Sequence, residues 1–286
     1  MDSTIPNHTT PQLPQAASAI QKDVPLKEIL SATSIGYLAR NIELVFPNFD
    51  KDSFSTQATT GLDELTLMQR ADHIATALRA HLPTSYQDAI DILVASFTPE
   101  LTQSSDNGLA VFFYLPHSAF IAKYGVKASG EETDPFDLSM AAQYQLTKRF
   151  TAEFSIRSFL LHDPNRALAT IQTWLSDPDE HVRRLCSEGT RPRLPWGKRL
   201  PDFGKTPDKV LFILEALKDD PSLYVRRSVA NHLGDIAKDQ PDWVLEICRN
   251  WGEEANKERR WLIRHAIRYL DKKNYPGANE LRRQMK

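Results

Sequence analysis

The chain has 286 residues, 41% hydrophobic and 25% charged, with a formal net charge of −2. That balance is globular and excludes a low-complexity or fibrous chain, and no run of about 18 apolar residues exists to cross a membrane. The two cysteines, Cys186 and Cys248, lie far apart, which excludes a disulfide framework and a CxxC metal or redox site.

The first stretch, "MDSTIPNHTTPQLPQAASAIQ", has neither the basic n-region nor the apolar h-region of a signal peptide. Residues 1–23 read as a disordered tail, and a cytoplasmic location is expected. From residue 24 the apolar spacing is helical. In "IGYLARNIELVF" (35–46), Ile35, Leu38, Ile42 and Val45 share one stripe. "LTLMQRADHIATALRAHL" and "YQDAIDILVASF" continue the pattern, with "LPTS" as a break and Ser85 as an N-cap. Residues 99–118 mix a polar loop with a short apolar run. "KASGEETDP" (127–135) reads as a boundary, and no stretch alternates as a strand does. The expected class is all-α, with an N-terminal helical region over 24–134 and a repeat region over 135–286 in one continuous domain.

Charge divides at the same place. Residues 1–140 hold 8 Lys and Arg against 17 Asp and Glu, and residues 141–286 hold 27 against 20, so a balance of −9 faces one of +7. A positive half on a near-neutral chain points to a polyanionic partner.

That half repeats. Asp177-Pro178 aligns with Asp220-Pro221 at an offset of 43, and Val182-Arg183-Arg184 with Val225-Arg226-Arg227. The preceding helices match too, with Leu168, Ile171 and Trp174 on Leu211, Leu214 and Leu217. Each unit reads as helix, "DP" turn, helix, with Asp as cap and Pro in the first turn. Such periods predict a HEAT-like α-solenoid, a superhelix with a concave face. "KRFTAEF" (148–154) extends the second-helix register by 35 residues and "RWLIRHAIRYL" (260–270) by 37. Arg149, Arg184, Arg227 and Arg264 then share one column. Glu153, Glu188, Asn231 and Arg268 lie one turn further, and Asp235 one turn beyond Asn231.

Between the copies runs "RPRLPWGKRLP" (191–201), a proline-stiffened loop carrying Arg191, Arg193, Lys198, Arg199 and Trp196. Arginines suit phosphate, and a tryptophan among them suits a base or sugar. Glu153, Glu188 and Asp235 would repel a DNA backbone, but carboxylates stabilise a sugar cation and position water when an N-glycosidic bond is hydrolysed. The same Arg–Glu spacing also serves as a ladder that braces neighbouring helices, and the pattern supports both readings. His162, His181, His232 and His265 lack HExxH or related ligand spacing and read as surface or core histidines. Trp174, Trp243 and Trp251 fall at first-helix positions and read as core.

The stretches "QLTKRFTAEFSIRSFL" and "DPDEHVRRLCSEGTRPRLPW", with "PLKEILSATSIGYLARNIELVFPNFDKDSF" and "YQDAIDILVASF" before them, resemble the AlkC-type 3-methyladenine DNA glycosylases, HEAT-like relatives of AlkD. The resemblance runs from about Val24 to the last repeat. It implies a monofunctional glycosylase of base excision repair that removes small N-methylated bases, such as 3-methyladenine and 3-methylcytosine, from double-stranded DNA gripped on the concave face. It also implies no cofactor or metal, a monomer and a bacterial cytosolic setting. By motif it carries an acidic cluster onto Glu153 ("TAEF"), Glu188 ("SEGT") and Asp235 ("LGDIA"), and a lesion-contacting tryptophan onto Trp196 ("RLPW"). Arg149, Arg184, Arg191, Arg193, Lys198, Arg227 and Arg264 are the expected DNA contacts. Some members append an immunoglobulin-like domain; nothing follows "ELRRQMK" here, which resembles the shorter branch. The rival readings are a non-catalytic HEAT module that binds bent or branched DNA and a protein-interaction scaffold.

Overall fold

A computed structural model describes residues 8–101, 108–127 and 133–286. Among them the chain is helical throughout and forms two compact units, Met1–Phe159 and Leu160–Lys286. Most of the expected boundary at 127–135 falls on 128–132, outside the described residues.

The first unit contains α1 (Ala32–Val45), α2 (Lys51–Thr59), α3 (Leu67–His81), α4 (Tyr86–Ala95), α5 (Leu115–Tyr124) and α6 (Phe136–Thr147). Helix α7 (Ile156–His162) leads out of it. The stripe of α1 is buried at Ile35, Leu38 and Ile42, whereas Val45 is exposed. Ser85 caps α4, its hydroxyl accepting from the Asp88 amide. Residues 8–23, expected as a tail, form no helix but are held: the His8 ring bonds Asn41 Oδ1 at 3.0 Å, and Asn41 Nδ2 donates to the Gln12 carbonyl at 2.9 Å.

The second unit contains α8 (Pro164–Trp174), α9 (Glu180–Gly189), α10 (Pro201–Lys205), α11 (Asp208–Leu217), α12 (Leu223–Ile236), α13 (Pro241–Gly252), α14 (Lys257–Ala266), α15 (Arg268–Lys272) and α16 (Ala278–Gln284). Helices α8/α9, α11/α12 and α13/α14 pack as pairs, and the second helices α9, α12 and α14 lie side by side. This is the HEAT-like repeat. Val182, Leu185, Val225, Val229, Leu262 and Ile263 are fully buried between its layers, which removes about 2 kcal/mol of apolar exposure per large side chain.

The "DP" turns work differently from the capping expected. Asp177 and Asp220 accept the amides of Asp179 and Ser222, two residues on, at 2.8 Å each, and so tie the turn. The N-caps are Asp179 for α9 and Ser222 for α12. One arginine in the first turns of each second helix locks the same turn. Arg183 donates to the Asp177 and Pro178 carbonyls, Arg226 to those of Asp220 and Pro221, and Arg260 to that of Ala255. Equivalence of Arg226 with Arg260 sets the last offset at 34 rather than 37, which moves Arg264 out of the arginine column.

Candidate active site

Because α9 and α12 are neighbours, the last turn of α9 faces the C-terminal half of α12. Glu188 closes α9 at 5% exposure, and Asp235 lies near the end of α12 at 4%. One guanidinium joins them. Arg191 Nη1 is 2.6 Å from Glu188 Oε1, while its Nη2 and Nε are 2.8 and 2.9 Å from Asp235 Oδ2. The second oxygen of Glu188 accepts the Ser228 hydroxyl at 2.6 Å, and that of Asp235 lies 3.1 Å from Lys238 Nζ. Arg184 Nη2 stands 3.4 Å from Glu188 Oε1, with its guanidinium over the Tyr224 ring.

Burial alone would push the Glu188 carboxyl up; Arg184, Arg191 and the Ser228 hydroxyl outweigh it and hold Glu188 below the usual carboxylate range. Burial likewise works against the Arg191 charge, and Glu188 and Asp235 overcome it, so Arg191 is raised. Arg268 is lowered by burial and by repulsion from Arg191, with Asp235 opposing. The site is therefore a pair of buried acids, Glu188 among them held ionised, inside a positive surround.

The loop after α9 folds back on itself. The Leu200 amide donates to the Pro192 carbonyl at 3.1 Å and the Gly197 amide to Leu194 at 3.3 Å, while Leu194 and Leu200 are buried as anchors. Its tip is Trp196, 60% exposed with φ of 61°, a left-handed backbone that disfavours any bulky residue. Lys198 and Arg199 are exposed beside it. Arg193 pairs with Asp239 at 2.6 Å. Asp239 in turn sits against Gly204, where a Cβ would meet its Oδ2 at 2.8 Å, so a larger residue there would shift the Asp239 side chain.

The cations expected at phosphate divide. Arg227 is exposed on α12. Arg191 is a correction: the residue just past a helix end lies beside that helix's last turn, and here its side chain is spent between two carboxylates. Arg264 turns to the Met285 carbonyl past the end of α16. Arg149, in the first unit, donates to the Thr98 and Gln145 carbonyls and packs on Phe97.

Glu153 also belongs to the first unit, and it is not on a helix: α6 ends at Thr147, and the chain turns before α7. Glu153 is buried, accepts the Thr151 hydroxyl at 2.9 Å and returns its own amide to that oxygen at 3.1 Å. The helical Arg149–Glu153 spacing is therefore not realised, because the Thr151 side chain takes over the backbone bond a helix would make.

Sequence reasoning missed Ser228 and Lys238, and placed Arg268 in the column without giving it a part at the acids. Lys238 and Arg191 each stand three residues beyond an acid, a spacing visible in the sequence; Ser228 is legible only once α9 and α12 are in register. Asn231 Oδ1 accepts from His265 Nε2 at 3.1 Å and Arg268 Nη2 at 3.0 Å, and the His265 ring stacks on Trp261. Among the described residues no His, Cys, Asp and Glu side chains gather as a metal site, and no helix is long and apolar enough to cross a membrane.

Comparison with known proteins identifies the family. The sequence family described as DNA alkylation repair enzyme matches residues 150–270. The chain is 38% identical over 250 residues to an uncharacterized protein, YhaZ, of Bacillus subtilis (strain 168), covering 87% of this chain and 65% of that relative's length. Among solved structures it matches the Pseudomonas fluorescens alkylpurine DNA glycosylase AlkC bound to DNA containing an abasic site analog. That match has a TM-score of 0.80 and 40% identity, and covers 91% of this chain and 68% of the other.

Proposed function

The chain belongs to the AlkC-type family of DNA alkylation repair enzymes, and from that premise we propose that it is a DNA glycosylase for alkylated, positively charged bases. Small ring-N-methylated bases, 3-methyladenine and 3-methylcytosine among them, are the proposed substrates, in double-stranded DNA. The observation that carries this reading is the pair of buried acids, Glu188 and Asp235, beside a loop whose exposed tip offers Trp196, Lys198 and Arg199.

The chemistry follows from charge. The alkylated base already carries the positive charge that protonation would otherwise supply, so no general acid is required. As the bond from C1′ to the base nitrogen breaks, its electron pair leaves with the base, which departs neutral, and positive charge builds on the sugar. Ionised carboxylates stabilise that cation in a low-dielectric setting, where such contacts weigh most. Water then bonds to C1′ and gives up a proton, for which Glu188 or Asp235 is the acceptor. Arg227, Lys198 and Arg199 meet phosphates, and Trp196 packs on the lesion nucleotide. Glu153 keeps, within its own unit, the supporting part that its motif implies.

Release of free base from methylnitrosourea-treated DNA tests the proposal. Glu188→Gln and Asp235→Asn are each expected to slow release by about 100-fold or more while the protein still folds and binds DNA. Wild-type protein that releases no base would sink the activity, and variants as fast as wild type would return both acids to a bracing role.

A further inference from the structure

We propose that Arg191 is a positioning residue that fills the cation seat between Glu188 and Asp235 in the DNA-free protein and yields it to the positively charged nucleotide. This rests on the glycosylase reading above and adds a device to it.

Four observations support the exchange. Arg191 donates its side-chain bonds to carboxylates alone, unlike Arg183, Arg226 and Arg260, which hold turn carbonyls. Its departure therefore orphans no backbone group. Both acids keep other partners, Arg184 and Ser228 for Glu188 and Lys238 for Asp235, so they stay in place when it moves. Arg268 repels Arg191, and Arg193, paired with Asp239, feels the same acid, Asp235. Finally, a guanidinium is a flat, delocalised, weakly hydrated cation. What it leaves behind is a slot between two carboxylates suited to another delocalised cation, the charged base or the sugar cation that follows it. The arginine would then keep the two acids paired without a bound ligand, and would make neutral, undamaged nucleotides poor competitors for the seat.

The test compares binding of duplex DNA carrying a cationic pyrrolidine abasic analogue with DNA carrying a neutral tetrahydrofuran. In Arg191→Met the preference for the cationic analogue is expected to rise by about fivefold or more over wild type, the span typical of coupled sites. Arg191→Lys should fall between the two. Methylguanidinium, which can occupy the vacated place, should return the Arg191→Met preference toward the wild-type value. A purely bracing arginine would instead weaken both DNAs together; an unchanged or reduced preference in the Met variant overturns the proposal. If that variant does not fold, Arg191→Lys decides, and a preference equal to wild type then overturns it. Base release by wild-type protein reports on the glycosylase reading separately: an active enzyme with an unchanged preference loses only this inference.

Discussion

Arg70 in the first unit and Arg191 in the second are both arginines withdrawn from water, and they are held in opposite ways. Arg70, 1% exposed, donates to the carbonyls of Lys27 and Leu30 at 3.0 Å each and meets Glu28 at 3.1 Å. Arg191 meets Glu188 and Asp235 and no carbonyl. A carbonyl neither titrates nor accepts a substitute ion, so an arginine that serves it is fixed in the fold. A carboxylate does both, so an arginine that serves two of them marks a place where charge can be exchanged. Partner type, more than depth of burial, separates brace from site.

The largest expected effect tests that separation on stability. Arg70→Met strands two carbonyls and is expected to cost about 2–4 kcal/mol, equally at neutral and mildly acid pH, with base release per folded molecule unchanged. Arg191→Met should instead lose stability in a pH-dependent way. The Glu188 carboxyl is lowered in the fold, so in wild type its contribution is present above its unfolded value of about 4.3 and lost as pH falls through the folded one. Without the arginine that gain shrinks to what Arg184 and Ser228 supply, so the deficit grows as pH rises and Glu188 ionises with one cation fewer. Thermal melts of both variants across pH check this. A deficit for Arg191→Met that is flat with pH would place it with Arg70.

How far the sequence reveals this arrangement depends on the range of the interaction. The repeat, the helix pairs and the burial of Val182, Leu185, Val225 and Val229 follow from spacing within one helix, which the sequence carries directly. Glu188 is picked out by register, because neighbouring second helices lie side by side; Asp235 lies one turn beyond that column and is picked out by the resemblance. The partner of Arg191 is not, since an arginine just past a helix end can reach phosphate or fold back along the helix axis, and only the position of α12 decides. Glu153 shows the reverse failure: its spacing from Arg149 is helical, but Thr151 bonds the local backbone and turns the chain. Arg264 fails by register, three residues from the offset that the turn-locking Arg260 fixes.

The same contrast extends to imidazoles. His117, in the first unit, is enclosed by Phe97, Phe113 and Tyr114, and neither ring nitrogen has a hydrogen-bond partner among the described residues. Burial pushes it down to about 3. His265, in the second unit, is lowered to about 4 by burial and then by Arg268 and Arg227, and it bonds Asn231. Both are neutral in the fold, whereas the unfolded chain takes up a proton below about pH 6.5. His117 therefore withdraws up to about 1.4 kcal/mol of stability per pH unit as pH falls from about 6.5 toward its folded value, and the half-exposed His265 withdraws less, its charges being screened by solvent. His117→Leu should remove its share of that slope, read by denaturant unfolding between about pH 6.5 and 5, without changing DNA affinity. His265 stands near Arg227, a proposed phosphate contact, so His265→Gln should flatten the slope and also alter DNA binding. Equal behaviour of the two variants would dissolve the contrast between the units.

The smallest effect on stability is expected at Trp196. Its ring is 60% exposed, so little apolar burial is lost when it is removed, and its left-handed backbone favours glycine. Trp196→Gly should therefore change stability by less than about 1 kcal/mol, since relief of roughly 1 kcal/mol of backbone strain offsets what packing remains. Its effect on DNA should be larger than its effect on the fold: one lost stacking contact is worth about 1–3 kcal/mol, or roughly 5- to 150-fold in affinity, measurable with an abasic duplex. A residue that keeps a strained, exposed backbone while contributing little to folding is explained by its partner in solution. If Trp196→Gly instead destabilised the protein by several kcal/mol and left DNA affinity intact, the loop would be a structural anchor of the kind Arg70 represents, and the DNA-facing side of the comparison would rest on Lys198, Arg199 and Arg227 alone.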